Sequence, residues 1–290
     1  MIVTTRMKIA GARGIYQALR TLGIAAKPGQ PVQTKRSGLL WELDLGEGID
    51  FSIYLLGAFE RSTVNALQEL VKPGYTVLDI GANIGAHTLH LAKSVGPSGR
   101  VFAFEPTNYA FGKLTRNLSL NPELQKRVTT AQLLLADEVG RPRQAEIYSS
   151  WPLESGDGRH PKHLGQLQST SNAGVDTLDH YAQTHGISRV DLIKIDVDGH
   201  EYPVLKGARE LLARHTPTIV MELSPYVHSE EGSSFDDLIE LLRSVGYSLK
   251  DLDTGKPLPL DAAHLTRVVP DGAGINVVLT RPHAKLGQES

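Results

Sequence analysis

Five apolar runs in this chain each end on a carboxylate, and the first of them opens onto a glycine turn. They are TVLDIGANIG with Asp79, VFAFEP with Glu105, LLLAD with Asp137, DLIKIDVDG with Asp196 and TIVMEL with Glu222. Short runs rich in Val, Ile, Leu and Phe read as parallel strands buried on both faces. Ligands of an open α/β sheet sit outside the carboxyl ends of its strands. Five acids brought to that edge make a crevice rich in hydrogen-bond acceptors. Such an edge suits a ligand with hydroxyls and positive charge, not a polyphosphate.

The turn Asp79-Ile80-Gly81-Ala82-Asn83-Ile84-Gly85 leads into a helix. Gly81 and Gly85 let the backbone turn tightly and approach a ligand without interference from a Cβ. The start of the helix offers N–H groups to a carboxylate. A dinucleotide site wants Gly-x-Gly-x-x-Gly, whereas Asn83 stands at the second glycine position here and an acid precedes the first. That acid repels a pyrophosphate and organises an ammonium group, so the turn fits the amino-acid end of S-adenosylmethionine better than NAD. Glu105 is placed to accept both hydroxyls of an unphosphorylated ribose, a feature the two ligands share. Asp137 either accepts from an adenine amino group or serves the turn in Asp-Glu-Val-Gly.

On the fourth of these strands, Lys194 and Asp196 have the same parity and point to one face. A bare buried charge is costly, and pairing lowers that cost. The pair is either structural, or Asp196 lies beside the reacting group while Lys194 assists deprotonation of an acceptor hydroxyl. His200, with an ordinary pKa near neutrality, is a candidate general base or a surface histidine. Asp198 and Glu201 read as the N-cap and N3 residues of a capping box. Asp196 and Glu222 together offer hard oxygen ligands to a divalent cation such as Mg2+.

The elements that must position these groups follow an α/β alternation. It predicts strand 75–80, helix 84–95, strand 100–105, helix 107–120 and strand 128–135. After a loop rich in Gly, Ser, Pro and His at 150–174, expected to form part of the acceptor pocket, the alternation resumes. A helix from Thr177, strand 190–197, a helix from His200, strand 217–223, helix 233–245 and strands near 246–251 and 274–280 complete it. A mostly parallel Rossmann-like sheet covered by helices on both faces is the expected architecture over residues 60–290. Residues 1–59 read as an extension: a helix at 12–22, then a hairpin of LLWELDL with DFSIYLL turning at Gly46-Glu47-Gly48. A helix from Glu60 to Val71 joins the two parts, and a polar tail follows from Arg281.

Composition excludes several function classes. The chain has 290 residues, 40% of them hydrophobic, with a net charge of −2 and no cysteine. Disulfides, a thiolate nucleophile and cysteine-ligated zinc are therefore excluded. No acid precedes Glu42, while Arg6, Lys8, Arg13, Arg20, Lys27, Lys35 and Arg36 are basic. These charges are not interleaved with aromatics, so nucleic acid is not an expected partner. No apolar run approaches the roughly 20 residues of a spanning helix, and the first residues lack a signal-peptide core, which makes a cytoplasmic protein the expectation.

Taken together, the motifs resemble the FkbM family of S-adenosylmethionine-dependent methyltransferases. The matching stretches are GAFE at 57–60, VLDIGANIG, FEP at 104–106 with Asn117 and Asn121 behind it, VDTLD at 175–179 and IKIDVDGHEYPVLKGA at 193–208. The resemblance implies a class I methyltransferase fold and O-methylation of a hydroxyl on a sugar, glycan or natural product. It implies cofactor contacts for Asp79, Gly81, Asn83, Gly85, Glu105 and Asp137. Glu60 also matches a family position, where it either approaches the methionine end or caps its helix. The family motif has Glu where this chain has Asp198. The family also has a distant likeness to sugar O-methyltransferases that bind magnesium through carboxylates after these strands. The alternatives are an NAD-dependent oxidoreductase or epimerase, against which the broken glycine fingerprint counts, and a cofactor-binding module without turnover. The acceptor is expected to be a small molecule or a glycan, and a homo-oligomer is compatible with the sequence.

Overall fold

The computed structural model describes residues 4–154, 156–230 and 234–281. The chain opens with α1 (Thr5–Thr21), longer than the predicted 12–22 because Thr4 caps it, accepting from the Met7 N–H. The hairpin is β1 (Val32–Arg36) with β2 (Leu39–Leu43). Its two-residue turn is Ser37-Gly38, both with positive φ, the geometry that matches the twist of paired strands. DFSIYLL is therefore not a strand. It lies in α2 (Gly48–Leu56), stopped by Gly57 at φ 84, whose N–H donates to the Ile53 carbonyl. A short apolar run of this kind does not distinguish helix from strand by period, and here the left-handed glycine decides.

After α3 (Arg61–Leu70) come β3 (Thr76–Ile80), α4 (Thr88–Ser94), β4 (Arg100–Phe104) and α5 (Asn108–Ser119). A short α6 (Pro122–Gln125) precedes β5 (Val128–Ala131). The predicted strand 128–135 breaks at Gln132. Its second half, β6 (Leu133–Leu135), leaves the main sheet to pair in parallel with β9 (Gly174–Asp176). Part of 150–174 is likewise structured, since β7 (Glu146–Ser150) and β8 (Gln166–Ser169) form a bulged antiparallel hairpin.

The chain continues through α7 (Leu178–Thr184), β10 (Leu192–Ile195), α8 (Glu201–Lys206), α9 (Arg209–His215) and β11 (Thr218–Leu223). It ends with α10 (Pro225–Glu230), α11 (Phe235–Ser244), β12 (Ser248–Asp251), β13 (Pro257–Leu258), α12 (Ala262–Val268) and β14 (Ile275–Thr280). The tail beyond Arg281 lies outside the described residues.

The main sheet has eight strands in the order β13-β12-β14-β11-β10-β3-β4-β5. β11, β10, β3, β4 and β5 are parallel, and β14 runs antiparallel between β11 and β12. This is the mostly parallel, helix-flanked class I methyltransferase arrangement. From β3 the chain winds outward through β4 and β5, then returns to lay β10 on the other side of β3. The point where strand order reverses leaves a crevice at the carboxyl ends of β3 and β10.

Residues before 60 share a core with the sheet. Trp41, Leu43 and Phe51 pack in one cluster with Ile84, Leu89 and Leu114. Two asparagines, Asn117 of α5 and Asn121 at the N-cap of α6, fasten this layer. Asn117 accepts from the Glu42 N–H and donates to the Ile84 carbonyl, and Asn121 both accepts from and donates to the Leu40 backbone. Among the described residues, no helix is long and apolar enough to cross a membrane.

Candidate functional site

A cavity of about 940 Å3 opens at the carboxyl ends of β3, β4, β10 and β11. Gly81 begins the glycine turn at φ 75, and a Cβ built there would lie 1.9 Å from the Asp196 carbonyl oxygen. The exits of β3 and β10 therefore touch, which only glycine permits. The N–H groups of Gly81 and Ala82 both donate to the Phe104 carbonyl, at 3.0 and 2.9 Å. Asn83 follows with φ 48, its N–H donating to Glu105 Oε2 at 3.0 Å and its side chain to the Ser149 carbonyl at 3.0 Å.

Glu105 is almost fully buried. Its Oε1 accepts from the Thr107 N–H at 2.9 Å and the Thr107 hydroxyl at 2.6 Å. Burial pushes its carboxyl above the usual range, against the opposing pull of these hydrogen bonds. A carboxylate offers about four acceptor sites; three are filled by Asn83 and Thr107, and the Ser149 hydroxyl makes a longer contact to Oε1 at 3.5 Å. The wall is preformed, and Oε2, which accepts from the Asn83 N–H, is its less crowded oxygen. Gripping two hydroxyls requires a Thr107 contact to yield.

Lys194 and Asp79 are register neighbours on β10 and β3. The buried ammonium of Lys194 donates to the Gly81 carbonyl at 3.0 Å and lies 3.5 Å from Asp79 and 3.6 Å from Asp196. Burial works against its charge, but Asp196, Asp79 and Glu60 outweigh it and hold the pKa above the ordinary lysine value. Lys194 thus ties the glycine turn to β10. Asp79 is fully buried and accepts from the Thr88 hydroxyl at 2.6 Å.

Three further groups face this ammonium's end of the cavity. Glu60 caps α3 in the left-handed region at φ 46, its Oε2 accepting from Thr63 at 3.2 Å and Asn276 at 3.4 Å. His87 Nε2 lies 3.8 Å from the same Glu60 oxygen. Burial, then repulsion from Asp196, raises the Glu60 carboxyl, and the same two causes push Glu222 well up. Burial and the Lys194 charge keep His87 neutral. Strain collects here as well. Of six non-glycine residues with positive φ among the described residues, Glu60, Asn83 and Asp198 line this one cavity.

The cavity brings together Glu60, Gly81, Asn83, Glu105, Lys194, Asp196, His200 and Glu222. It does not include Asp79, which lies beneath the turn, or Gly85, whose Cβ would meet Leu114 at 3.0 Å and whose place is in packing α5. Asp137 also stays outside the lining. It is paired with Arg141 and, at 2.9 Å, with Lys206. Burial alone would raise its carboxyl, but these hydrogen bonds hold it below the usual range. The expected capping box does not form, because α8 begins at Glu201 itself. His200, not Asp198, is the N-cap of α8, while Glu201 does reach back to the Val197 and Gly199 N–H groups at 3.3 and 3.4 Å. His200 Nε2 lies 2.9 Å from the Gln144 side-chain amide oxygen.

Sequence reasoning missed His87, Thr107 and Ser149. His87, two residues past Gly85 in GANIGAHT, was the legible one, because a histidine there must enter the site edge. Thr107 is a local partner two residues past Glu105, whereas Ser149 reaches Glu105 only through the fold.

Residues 79–249 match the family described as "Methyltransferase FkbM domain". The chain is 31% identical over 156 residues to 2-O-methyltransferase NoeI of Sinorhizobium fredii, covering 50% of this chain and 62% of that protein. It is 27% identical over 158 residues to methyltransferase sdnD of Sordaria araneosa, covering 46% of this chain and 60% of that one. Hexuronic acid methyltransferase AglP of Haloferax volcanii is 26% identical over 155 residues, with 53% and 58% covered. The chain thus spans about three fifths of the length of these relatives. With the matched region running from Asp79 through the glycine turn, Glu105 and the Lys194–Asp196 strand to Leu249, this chain is a member of the FkbM methyltransferase family.

Proposed function

We propose that this protein transfers the methyl group of S-adenosylmethionine to a hydroxyl oxygen of a sugar, glycan or natural-product acceptor. The observation that carries the reading is the joining, on one cavity, of the Gly81–Asn83 turn and Glu105 with the acids Glu60, Asp196 and Glu222. Family membership supports the transfer. That two of the relatives are named a 2-O-methyltransferase and a hexuronic acid methyltransferase supports oxygen and a sugar as the target.

The donor set fits the cofactor. Glu105 offers Oε2 to hydroxyls, Phe104 and Leu133–Leu135 line an apolar slot for a flat base, and the carboxylates beyond the turn accept from an ammonium. When bound, the sulfonium supplies an activated methyl group, so the protein's tasks are alignment and exclusion of water. Glu105 and the glycine turn hold the cofactor. Asp196 faces the acceptor hydroxyl and draws off its proton as the oxygen attacks, with His200 as the nearby alternative base. Lys194, 3.6 Å from Asp196, keeps that carboxylate oriented. An NAD-dependent reading finds no support, because Asn83 stands where the dinucleotide fingerprint needs its second glycine.

The test is calorimetry of S-adenosylmethionine binding to the wild type and to Glu105→Ala, with circular dichroism as the fold control. Loss of a charge-assisted acceptor should weaken binding by about 1.5–3 kcal/mol, roughly 10–100-fold. Unchanged affinity in a folded variant removes Glu105 from the cofactor site.

A further inference from the structure

We propose that Glu60, His87 and Asp196 form a binding site for a divalent transition-metal ion at the acidic end of the cavity. One ligand atom from each residue, two carboxylate oxygens and an imidazole nitrogen, lies within 4.8 Å of the others. They arrive from three separate elements: Glu60 at the cap of α3, His87 at the start of α4 and Asp196 at the exit of β10. Local sequence spacing does not explain the convergence.

His87 is the independent observation. Its side chain is 3% exposed, and neither ring nitrogen has a hydrogen-bond partner. A buried imidazole usually finds one, because an unsatisfied buried polar atom costs about 1–3 kcal/mol. Here Nε2 faces Glu60 Oε2 at 3.8 Å, too far for a hydrogen bond and with room for a shared ion. The ring is held from behind by Phe59, with centroids 6.0 Å apart. Asn276 and Thr63 donate to the Glu60 carboxylate, the kind of outer contact that orients metal ligands.

Charge argues in the same direction. Four carboxylates, Glu60, Asp79, Asp196 and Glu222, gather around Lys194, whose ion pairs reach Asp79 and Asp196, with Lys8 as a second lysine on the cavity wall. A dication would neutralise what the two lysines leave. The donor set selects the class of ion. Oxygen-only sites suit Mg2+, whereas imidazole with carboxylates suits Mn2+, Fe2+, Co2+ or Zn2+. This differs from the Asp196–Glu222 magnesium site expected from the sequence, since the cluster joins Asp196 to Glu60 and His87 instead. With three protein ligands, coordination positions remain for water or an acceptor oxygen on the cavity side.

The experiment needs no methyl acceptor and does not depend on the methyl-transfer reading. The full chain, stripped with chelator, is titrated with Mn2+ and free ion is followed by electron paramagnetic resonance. Co2+ absorption serves as the reporter of an imidazole ligand. The expected result is one saturable Mn2+ per chain, not displaced by millimolar Mg2+, with affinity falling about 10–100-fold or more in Glu60→Gln and His87→Leu. His87→Leu should also abolish the Co2+ signature of nitrogen ligation. Absence of saturable Mn2+, Co2+ or Zn2+ binding overturns the site, as does equal affinity in a folded His87→Leu. Competitive displacement of Mn2+ by S-adenosylmethionine also overturns it, by assigning the acids to the ammonium of the cofactor.

Discussion

At the residue scale, Lys194 joins the glycine turn to two carboxylates. Its ammonium spans the Gly81 carbonyl and two carboxylates, so it ties the turn and the strand exit together. The Asp196 side chain is 29% exposed on the cavity wall, in contrast to the sealed Asp79. Asp196→Asn keeps the shape and removes the charge. We expect methyl transfer from labelled S-adenosylmethionine to a sugar acceptor to fall by roughly 10²-fold or more, with cofactor affinity little changed. Retention of full transfer would return Asp196 to a purely structural pair with Lys194.

At the element scale, the site depends on how closely β3 and β10 deliver their exits. Gly81→Ala forces a Cβ to within 1.9 Å of the Asp196 carbonyl at a left-handed φ of 75. Backbone, not a flexible side chain, is in the way, so the strands must part. We expect a loss of roughly 3 kcal/mol or more in urea unfolding, with cofactor binding lost alongside. Gly112→Ala is the matched control. It sits in α5 with nothing within 4 Å of its Cβ position, and alanine there should stabilise by about 0.4–1 kcal/mol. Equal effects at the two glycines would show that close strand contact is not what Gly81 provides.

At the scale of the whole molecule, buried ionisable groups tie stability to pH from both sides. His90 lies against Trp41, 2% exposed and with no hydrogen-bond partner on either nitrogen. Burial, helped by Lys93, lowers its pKa from 6.5 to about 4. The unfolded chain therefore binds the proton first. Stability is intact above about pH 6.5 and is lost as pH falls toward 4, by up to roughly 3 kcal/mol at 1.4 kcal/mol per pH unit. Glu47 works in the opposite sense. Burial and then Asp50 raise it to about 7, so its contribution is present below pH 4.5 and lost as pH rises through 7. Urea midpoints of His90→Leu between pH 7 and pH 4 should separate the two. The variant should gain on the wild type as pH falls, and parallel curves would mean that His90 does not titrate as a buried neutral ring.

The identity of β3, β4, β10 and β11, their order along the chain and the acids at their ends were legible in the sequence, because a strand buried on both faces must be continuously apolar and its first polar residue marks the exit. So was the glycine turn, since Asp-x-Gly-x-Asn-x-Gly allows few backbone paths. What the local pattern did not carry was competition between equal local choices. DFSIYLL satisfies helix and strand alike, and a left-handed Gly57 chose helix. Nor did it carry which acids share a cavity. Asp137 and Asp196 both end apolar runs, yet Lys206 and Arg141 claim the first while the return of β10 to the flank of β3 places the second beside Lys194. The meeting of Glu60 with His87 and Asp196 crosses well over a hundred residues of chain, and only the tertiary structure decides it, because convergence at a reversal of strand order has no local signature.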